Sequence, residues 1–549
     1  MRDTQDMRDM QDMRDMQEDY LLSRKRIFSA TVIVIIVTLL SKISGLVRDQ
    51  IMAGYFGMSY DTDAYTWAFF IPNLFYILFA QSLIIAAFIP VYSSYIKEKK
   101  RQEVESFVSS VTNIMIIFFI IISAALFIFS PQIGTLLSKI AGNQLDIVQF
   151  IGKFVLMNRI MAFSVLMLSI SGLTTGILNA HNLFTVPALA PFILNILIVI
   201  SVALFTFRLG IVSMAIGTMA GSVFQLMVQL PQIRVAKIRY RFIIDFKNKA
   251  VKEIFSLMLP ILLSLGAVQL NNSVDKFFAL GLGAGNTTAL DLSWRVANLP
   301  LGIFSVAIIT VLYPLISRQA AAGDTNGIKE SFSLGVREIG YVMIPAVTGL
   351  IILSYPVIKL LFEHNNFTAQ NTEKVSYILI FHSLGLVFFG LLMILNRIFY
   401  AFKNVKTPLK VAVFSIVLNV FFDWVLIKFM NVSGVALSTT LVAVFNVAAL
   451  IIILRKKVGF LGGKRILKSY AKILLSSAAM GAIIYFLWHF LKKYAYTNIW
   501  YFIFILLAVI IAGIGLYLLF TYLLKMEEIK FVLGLFKNLK RRNPADQGI

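Results

Sequence analysis

Hydrophobic runs without a charged residue, separated by short polar or basic stretches, recur along the whole chain. Ile27–Leu40, Ile114–Ser130 and Trp500–Leu524 are three such runs. With their flanks they are about long enough to cross the hydrocarbon core of a bilayer, which takes roughly 20 helical residues. The pattern predicts an all-α polytopic membrane protein with about 14 transmembrane helices. The predicted spans are residues 27–47, 64–92, 105–130, 147–178, 185–207, 210–231, 252–282, 289–316, 334–361, 373–402, 408–429, 433–454, 467–491 and 499–524.

Composition strengthens this prediction, because 59% of the 549 residues are hydrophobic and only 14% are charged. About 25% of the residues of a soluble domain are charged. The net charge of +23 reports topology, since Lys and Arg collect in cytoplasmic loops, and we expect no nucleic-acid partner. An even number of spans and the basic flanks Arg24–Arg26 and Lys525–Arg542 predict that both termini are cytoplasmic. The chain contains no cysteine, which excludes disulfides and thiolate metal sites.

Two segments of the chain recur in the same order. Thr62–Asn73 aligns with Thr287–Asn298 at an offset of 225 residues, and Ser213–Gln225 aligns with Gly434–Asn446 at an offset of 221. Chance similarity between apolar helices is the alternative for either alignment alone. Together they predict two duplicated six-helix lobes around a central cavity plus two C-terminal helices, because internal repeats flanking a cavity are typical of transporters. The predicted segments are a disordered polar repeat tail at 1–23, lobes at 24–231 and 252–457, a cytoplasmic interfacial linker at 232–251, the two additional helices at 458–524 and a basic cytoplasmic tail at 525–549.

Ionisable residues within the spans are candidates for function, because a charge in hydrocarbon costs several kcal/mol unless it faces a cavity or a partner. Lys42 and Asp49 are seven residues apart and share a helix face, and Arg48 precedes Asp49. Together with Arg295 in the second half, these cations are suited to binding a phosphate group. The alternative is that Lys42 and Arg48 extend toward water from a helix end.

A second group of candidates is rich in oxygen. Asn419 and Asp423 are four residues apart and face the same way. Thr439 lies one span later, and Asp275 adds a carboxylate from a third helix. Such ligands suit a hard cation, whereas the alternative is an interhelical hydrogen-bond network.

Catalysis is not expected of this chain. The sequence contains neither a Walker A motif nor a G-x-G-x-x-G turn. The four histidines are scattered along the chain, and no pairing of a nucleophile with a base is visible. We therefore expect a transporter, not an enzyme, driven by an ion gradient, by the membrane potential or by the gradient of its substrate.

Four segments resemble a known family: SKISGLVRDQIMAGYFG, DTDAYTWAFFIPNLF, GILNAHNLFTVPALAPFILN and NRIFYAFKNVKTPLK. They are similar to signature segments of the MurJ (MviN) lipid II flippases of the MATE-like (MOP) exporter superfamily, in order from about Ile27 to Lys457. The resemblance implies a V-shaped cavity and a groove for a polyprenyl tail on the last two helices. It implies export of the lipid-linked peptidoglycan precursor, lipid II, to the outer leaflet of the bacterial cytoplasmic membrane by alternating access. Lipid II and membrane lipids are the expected partners of a monomer.

The resemblance also assigns roles to residues. The substrate-binding positions that it implies, together with the neighbouring carboxylate of Asp49, are Lys42, Arg48, Asp49, Asp63 and Arg295. A sodium site of the family matches Asp275, Asn419, Asp423, Thr439 and the backbone carbonyl of Val435. Na⁺ is therefore the expected coupling ion, and no other cofactor is expected.

Three positions depart from the family pattern. Lys42 stands where the family has Arg, Tyr76 replaces a further Arg, and Gln81 replaces a Glu. Fewer charges leave open either a flippase for another undecaprenyl-linked saccharide or a lineage that binds lipid II with fewer charges. A drug/cation antiporter of the same superfamily is a third hypothesis, although a cationic drug would favour an acidic cavity and would not need two additional helices. A scaffold or receptor without transport activity is the remaining alternative.

Overall fold

A computed structural model describes residues 36–81, 88–99, 101–141, 147–235 and 239–529. All the regular elements of this part of the chain are helices. The tail predicted at 1–23 lies outside the described residues, as do residues 530–549 of the tail predicted at 525–549. In chain order the α-helices are α1 (described at 36–56), α2 (Tyr60–Phe75), α3 (Ile89–Glu98), α4 (Arg101–Ile128), α5 (Ser130–Ala141), α6 (Ile147–Ala162), α7 (Ser164–Ala180), α8 (Thr185–Leu209), α9 (Val212–Val235), α10 (Lys249–Leu280), α11 (Asn286–Pro300), α12 (Val306–Ala321), α13 (Thr325–Ile352), α14 (Ser354–Phe362), α15 (Ala369–Ala401), α16 (Lys406–Met430), α17 (Val432–Val458), α18 (Gly463–Ala495) and α19 (Ile499–Leu523).

Eleven helical segments of the described chain are long and apolar enough to cross a membrane. Each coincides with one of the predicted spans, and two of them, Gln149–Ala180 and Asn286–Ala321, join consecutive helices. The predicted spans without a counterpart among the eleven are 27–47, 64–92 and 252–282. The first two include residues outside the description, and the third lies in α10. The all-helical membrane fold is confirmed, whereas the count of 14 is not.

The described helices form two compact units. The first unit comprises the described residues up to Met52, Ala64–Leu136 and the described part of Ile147–Leu265. The second comprises Ala53–Asp63, the short stretch from Leu137 to Asp146 as far as it is described, and the chain from Gly266 onward. The unit boundaries fall within α1, α2, α5 and α10, so single helices contribute to both units.

The first unit is built around stacked aromatic rings. Phe88, Tyr92 and Phe107 are fully buried, and their ring centroids lie 5.1 to 6.5 Å apart. Offset stacking of this kind adds to the energy of burial. Phe88 lies just before α3, Tyr92 lies on α3 and Phe107 lies on α4. The cluster therefore packs α3 against α4.

The linker predicted at 232–251 contains a non-helical strap at residues 239–246, between α9 and α10. Its backbone hydrogen bonds go to polar side chains of α4. The N–H groups of Arg241 and Asp245 donate to Ser109 Oγ at 3.0 Å and Ser110 Oγ at 3.2 Å. Asn113 Nδ2 donates to the Arg241 carbonyl at 3.2 Å. The strap is therefore fixed along α4 without secondary structure of its own.

The second unit contains two buried clusters. One joins α12, α13, α15 and α17 around Ile316, Phe332 and Phe399. The other packs α18 and α19 against α13, with Tyr341, Ile473 and Val509 at its centre. The two C-terminal helices are thus attached to the second unit through α13.

Two π-helical segments interrupt the helices at related positions. Tyr76–Gln81 follows α2, and Leu301–Ser305 follows α11. Their starting residues are 225 positions apart, which is the offset of the first sequence alignment. Each segment lies within five residues of a helical proline, Pro72 or Pro300, which removes a backbone donor. The same irregularity in both halves is a further feature consistent with duplication.

Candidate functional site

Arg48 is a buried cation of the first unit with fixed partners. Its Nε and Nη2 atoms donate to Asp49 Oδ1 at 3.1 and 2.8 Å, and Nη1 donates to Asn195 Oδ1 at 3.2 Å. The guanidinium carbon lies 5.9 Å from the centre of the Phe69 ring. Asp49 is buried beside Arg48, whereas Lys42 is exposed. Asp49, which was predicted to share a helix face with Lys42, is therefore the carboxylate partner of Arg48.

Asn195 was not among the residues predicted from the sequence. Its Nδ2 atom donates to the Ser41 carbonyl at 3.3 Å and to Ser44 Oγ at 3.2 Å, while its oxygen accepts from Arg48. The amide therefore connects α8 to α1 at the level of the cation. No local signal in the sequence marks Asn195, because its partners Ser41 and Ser44 lie 154 and 151 residues away in the chain.

Asp63 is fully buried and caps the N-terminus of α11. Its Oδ2 atom accepts from the Gly285 N–H at 2.7 Å. Its Oδ1 atom accepts from the Thr288 N–H at 2.9 Å and from Thr288 Oγ1 at 2.7 Å. Two of these three donors are backbone N–H groups at the start of the helix, so the carboxylate satisfies two of the N–H groups that a helix N-terminus leaves free. Gly285 has a φ of 74°, which a residue without Cβ adopts readily.

The segment that carries Asp63, residues 53–63, closely approaches the loop between α14 and α15. The Asn366 N–H donates to the Gly54 carbonyl at 2.9 Å. A Cβ atom at Gly54 would collide with the His364 imidazole, and one at Gly57 would lie 2.8 Å from the Asn366 carbonyl oxygen. Two glycines thus allow the backbones to meet.

Arg295 of the second unit has a carboxylate partner four residues earlier on α11. Its Nη2 atom lies 3.8 Å from Asp291 Oδ2, and Asp291 Oδ1 also forms an ion pair with Lys276 of α10. The side chains of Lys276, Asp291 and Arg295 are 10, 26 and 35% exposed. Neither Lys276 nor Asp291 was assigned to the site from the sequence, although the four-residue spacing from Asp291 to Arg295 is a visible signal.

The residues predicted to bind a cation meet in the second unit. Asp275 accepts from Asn419 Nδ2 and from Thr439 Oγ1, both at 2.9 Å. Thr439 Oγ1 also lies 3.1 Å from the Val435 carbonyl, and Asn419 Nδ2 lies 3.5 Å from Asp423 Oδ2. Three helices, α10, α16 and α17, therefore bring two carboxylates, an amide and a hydroxyl together.

The oxygens of this cluster fit a hard monovalent cation. Asn419 and Asp423 are buried, and among the described residues Asn419 Oδ1 and Asp423 Oδ1 have no hydrogen-bond partner. Buried acceptors without a donor are costly, and two buried carboxylates repel each other. Lys276, which follows Asp275, forms its ion pair with Asp291. The cluster therefore has acceptor oxygens that no described donor uses.

Comparisons with known proteins agree with one another. The family model described as lipid II flippase MurJ matches residues 52–513. The probable lipid II flippase MurJ of Vibrio cholerae is 29% identical over 434 residues, which are 78% of this chain and 82% of that protein. The one of Rickettsia prowazekii is 28% identical over 510 residues, which are 91% and 98% of the two chains.

Solved structures extend the comparison to the fold. A lipid II flippase MurJ in an inward closed conformation has a TM-score of 0.74 at 29% identity, covering 90% of this chain and 98% of its own. An inward-facing multidrug resistance MATE family transporter of the MOP superfamily has a TM-score of 0.62 at 15% identity, with coverage of 80% and 98%. The second likeness concerns the fold alone.

Proposed function

The chain belongs to the lipid II flippase MurJ family, and we propose that it moves lipid II from the inner to the outer leaflet of the bacterial cytoplasmic membrane by alternating access. The family match over residues 52–513 carries the proposal. The buried Arg48, held by Asp49 and Asn195, supports it within the first unit. The chain acts as a monomer with both termini in the cytoplasm.

Arg48 and Arg295 bind the anionic diphosphate of the substrate. A guanidinium presents a planar fork that suits phosphate oxygens. Each arginine has a carboxylate partner, Asp49 or Asp291, which neutralises it while no substrate is bound and keeps its side chain in place. Lys42 is exposed on α1 and adds a third positive charge.

Asp63 controls one of the conformational steps. Its carboxylate holds residues 53–63 to the first turn of α11 through three hydrogen bonds. Any movement that separates these elements must break the three bonds together and expose the buried carboxylate. Such a step is discrete, because a partly broken cap leaves buried polar groups unsatisfied.

Asp275, Asn419, Asp423, Thr439 and the Val435 carbonyl would hold Na⁺. The bound ion would neutralise the two carboxylates and so stabilise one arrangement of α10, α16 and α17. The Asn419 amide donates to Asp275 and lies near Asp423, so its N–H groups are placed to satisfy both carboxylates. Rotation of that amide presents Oδ1 instead. A ligand shifts the conformational equilibrium only by the difference in its affinity for the two states.

Rescue of cell-wall synthesis tests this function. The chain is expressed in bacteria that have been depleted of their own lipid II flippase, and its level in the membrane is measured. We expect growth and normal cell shape. Failure to rescue at a normal membrane level would exclude lipid II as the substrate.

A flippase for another undecaprenyl-linked saccharide is the second candidate. Three positions favour it, because Lys42, Tyr76 and Gln81 replace charged residues of the family pattern, two of them by uncharged side chains. Rescue of a strain that lacks a flippase for a different undecaprenyl-linked glycan, without rescue of the strain depleted of lipid II flippase, would establish it.

A further inference from the structure

Lys276, Asp291 and Arg295 form a chain of alternating charge within the second unit. Asp291 is bound by Lys276 through one oxygen and lies 3.8 Å from Arg295 through the other. Exposure increases from 10% at Lys276 to 26% at Asp291 and 35% at Arg295. Arg295 is therefore the more accessible of the two cations, and Asp291 already occupies the position between them.

The buried end of this chain adjoins the predicted cation site. Lys276 directly follows Asp275 on α10, and its ammonium acts electrostatically on the Asp275 carboxylate. Asp275 is hydrogen-bonded to Asn419 and Thr439, as the cation site requires. One lysine is therefore the chain neighbour of a carboxylate of the cation site and the ion-pair partner of Asp291, the counter-ion of Arg295.

We propose that Asp291 is an internal counter-ion that the substrate's diphosphate displaces, and that Lys276 joins Arg295 in binding this diphosphate and couples its binding to the cation site. The inference rests on the proposed function, and it adds Lys276 and Asp291 as a binding and a positioning residue. A cation beside Asp275 repels the Lys276 ammonium toward the anion, so each ligand raises the affinity for the other. The coupling factor is the same in both directions.

Lys276→Met and Asp291→Asn should have opposite effects on the two ligands. Lys276→Met removes a cation that attracts the diphosphate and repels Na⁺, so diphosphate binds more weakly and Na⁺ more tightly. Asp291→Asn removes the competing carboxylate and leaves the Lys276 charge uncompensated, so diphosphate binds more tightly and Na⁺ more weakly. We expect shifts of at least about tenfold, because a charge pair as far as about 12 Å apart contributes roughly that factor at an effective dielectric constant of about 20, and a closer pair contributes more.

The experiment uses the purified full-length chain in detergent and measures binding without transport. Calorimetric titration with farnesyl diphosphate gives the anion affinity, and inorganic diphosphate and farnesol separate the contribution of the head group from that of the chain. The thermal unfolding midpoint against NaCl, with KCl at equal ionic strength, gives the Na⁺ affinity.

Three further variants control the measurement. Arg295→Gln should weaken the binding of farnesyl diphosphate and leave Na⁺ binding almost unchanged. Lys276→Arg keeps the charge and should preserve both affinities. Glu363→Gln disrupts the ion pair with Lys359 on α14, which is similarly exposed and has no part in the proposed chain, and should change neither affinity.

Opposite, mirrored shifts in Lys276→Met and Asp291→Asn would establish the inference. If wild type binds both ligands and neither variant shifts either affinity, the inference is wrong while the proposed function stands. If both affinities fall in both variants, the residues have only a structural role. A wild-type protein that binds no Na⁺ would overturn the cation part of the proposed function and this inference with it.

Discussion

Asp63 accepts two hydrogen bonds from Thr288, the residue 225 positions later in the chain. The first alignment between the two halves of the sequence has the same offset, so these residues occupy aligned positions. The two aligned segments differ at this point, because one supplies a carboxylate and the other supplies the first turn of a helix. The contact is therefore asymmetric, although the positions that form it are aligned in the sequence.

Asp63→Asn should weaken this contact. An amide keeps one acceptor and turns an N–H group toward the donors of Gly285 and Thr288, so at least one buried donor loses its partner. The expected loss is about 1–3 kcal/mol of unfolding free energy, measured as a lower thermal midpoint in detergent. Thr288→Ser keeps the hydroxyl and should unfold as wild type does. Equal stability of Asp63→Asn and wild type would contradict the capping role.

Asp423→Ala should remove the response to sodium. Wild type is expected to unfold at a higher temperature in NaCl than in KCl. Na⁺ at a hundredfold excess over its dissociation constant should raise the unfolding free energy by about 2.7 kcal/mol. The variant should give the same midpoint in both salts, because the cation site loses a carboxylate. Absence of a Na⁺-specific effect in wild type would leave Asp275 and Asn419 as a structural hydrogen-bond network.

The cation cluster was predictable because helix geometry places residues four apart on the same face. Asn419 and Asp423 meet for that reason, and Thr439 of the next helix reaches Asp275 as expected. The eleven spans follow as directly from runs of apolar residues. The local pattern of apolar and polar residues was therefore sufficient to predict the helices and the polar residues that share a helix face.

Contacts between distant segments were not predictable in the same way. The cap formed by Asp63 depends on where α11 begins. In the sequence, only the glycine at position 285, three residues before Thr288, indicated where this helix begins. The partner of Arg48, Asn195, lies 147 residues away. Lys276 directly follows Asp275 in the chain, but it forms an ion pair with Asp291 of α11. Successive residues on a helix point about 100° apart, and packing of the second unit decides which carboxylate the ammonium reaches.

Arg337→Met should destabilise the attachment of the segment that follows α19. Arg337 is buried and donates to Glu528 Oε1 at 2.6 Å, and Ser469 Oγ donates to the same oxygen at 2.9 Å. Without the arginine, a buried carboxylate loses its partner, at a cost of about 3–5 kcal/mol. The double variant Arg337→Met/Glu528→Leu should recover most of the thermal midpoint. Additive losses in the double variant would show that packing, not charge pairing, stabilises this junction.

His181 should make stability depend on pH. It follows α7 outside the predicted spans, and its Nε2 atom lies 2.8 Å from the Tyr92 hydroxyl. Partial burial lowers the pKa of His181 below its usual value of about 6.5. The folded state therefore favours the neutral ring, and this contribution is complete above pH ~6.5 and declines as the pH falls toward the lowered pKa. Below pH ~6.5, the thermal midpoint of wild type should fall more steeply than that of His181→Gln. Parallel curves would exclude the effect.

Transfer of labelled lipid II across the membrane of proteoliposomes that contain the purified chain tests the central claim most directly. Wild type should move the label between leaflets. Lys42→Arg should do the same, because arginine keeps the positive charge and the reach of the lysine side chain. Arg48→Ala and Arg295→Ala should each weaken diphosphate binding by roughly 1.5–3 kcal/mol, which is a drop of about ten- to 150-fold in affinity. Both variants should be incorporated into the proteoliposomes at normal levels. Full transfer by both alanine variants, or transfer of another undecaprenyl-linked saccharide but not of lipid II by wild type, would contradict the account.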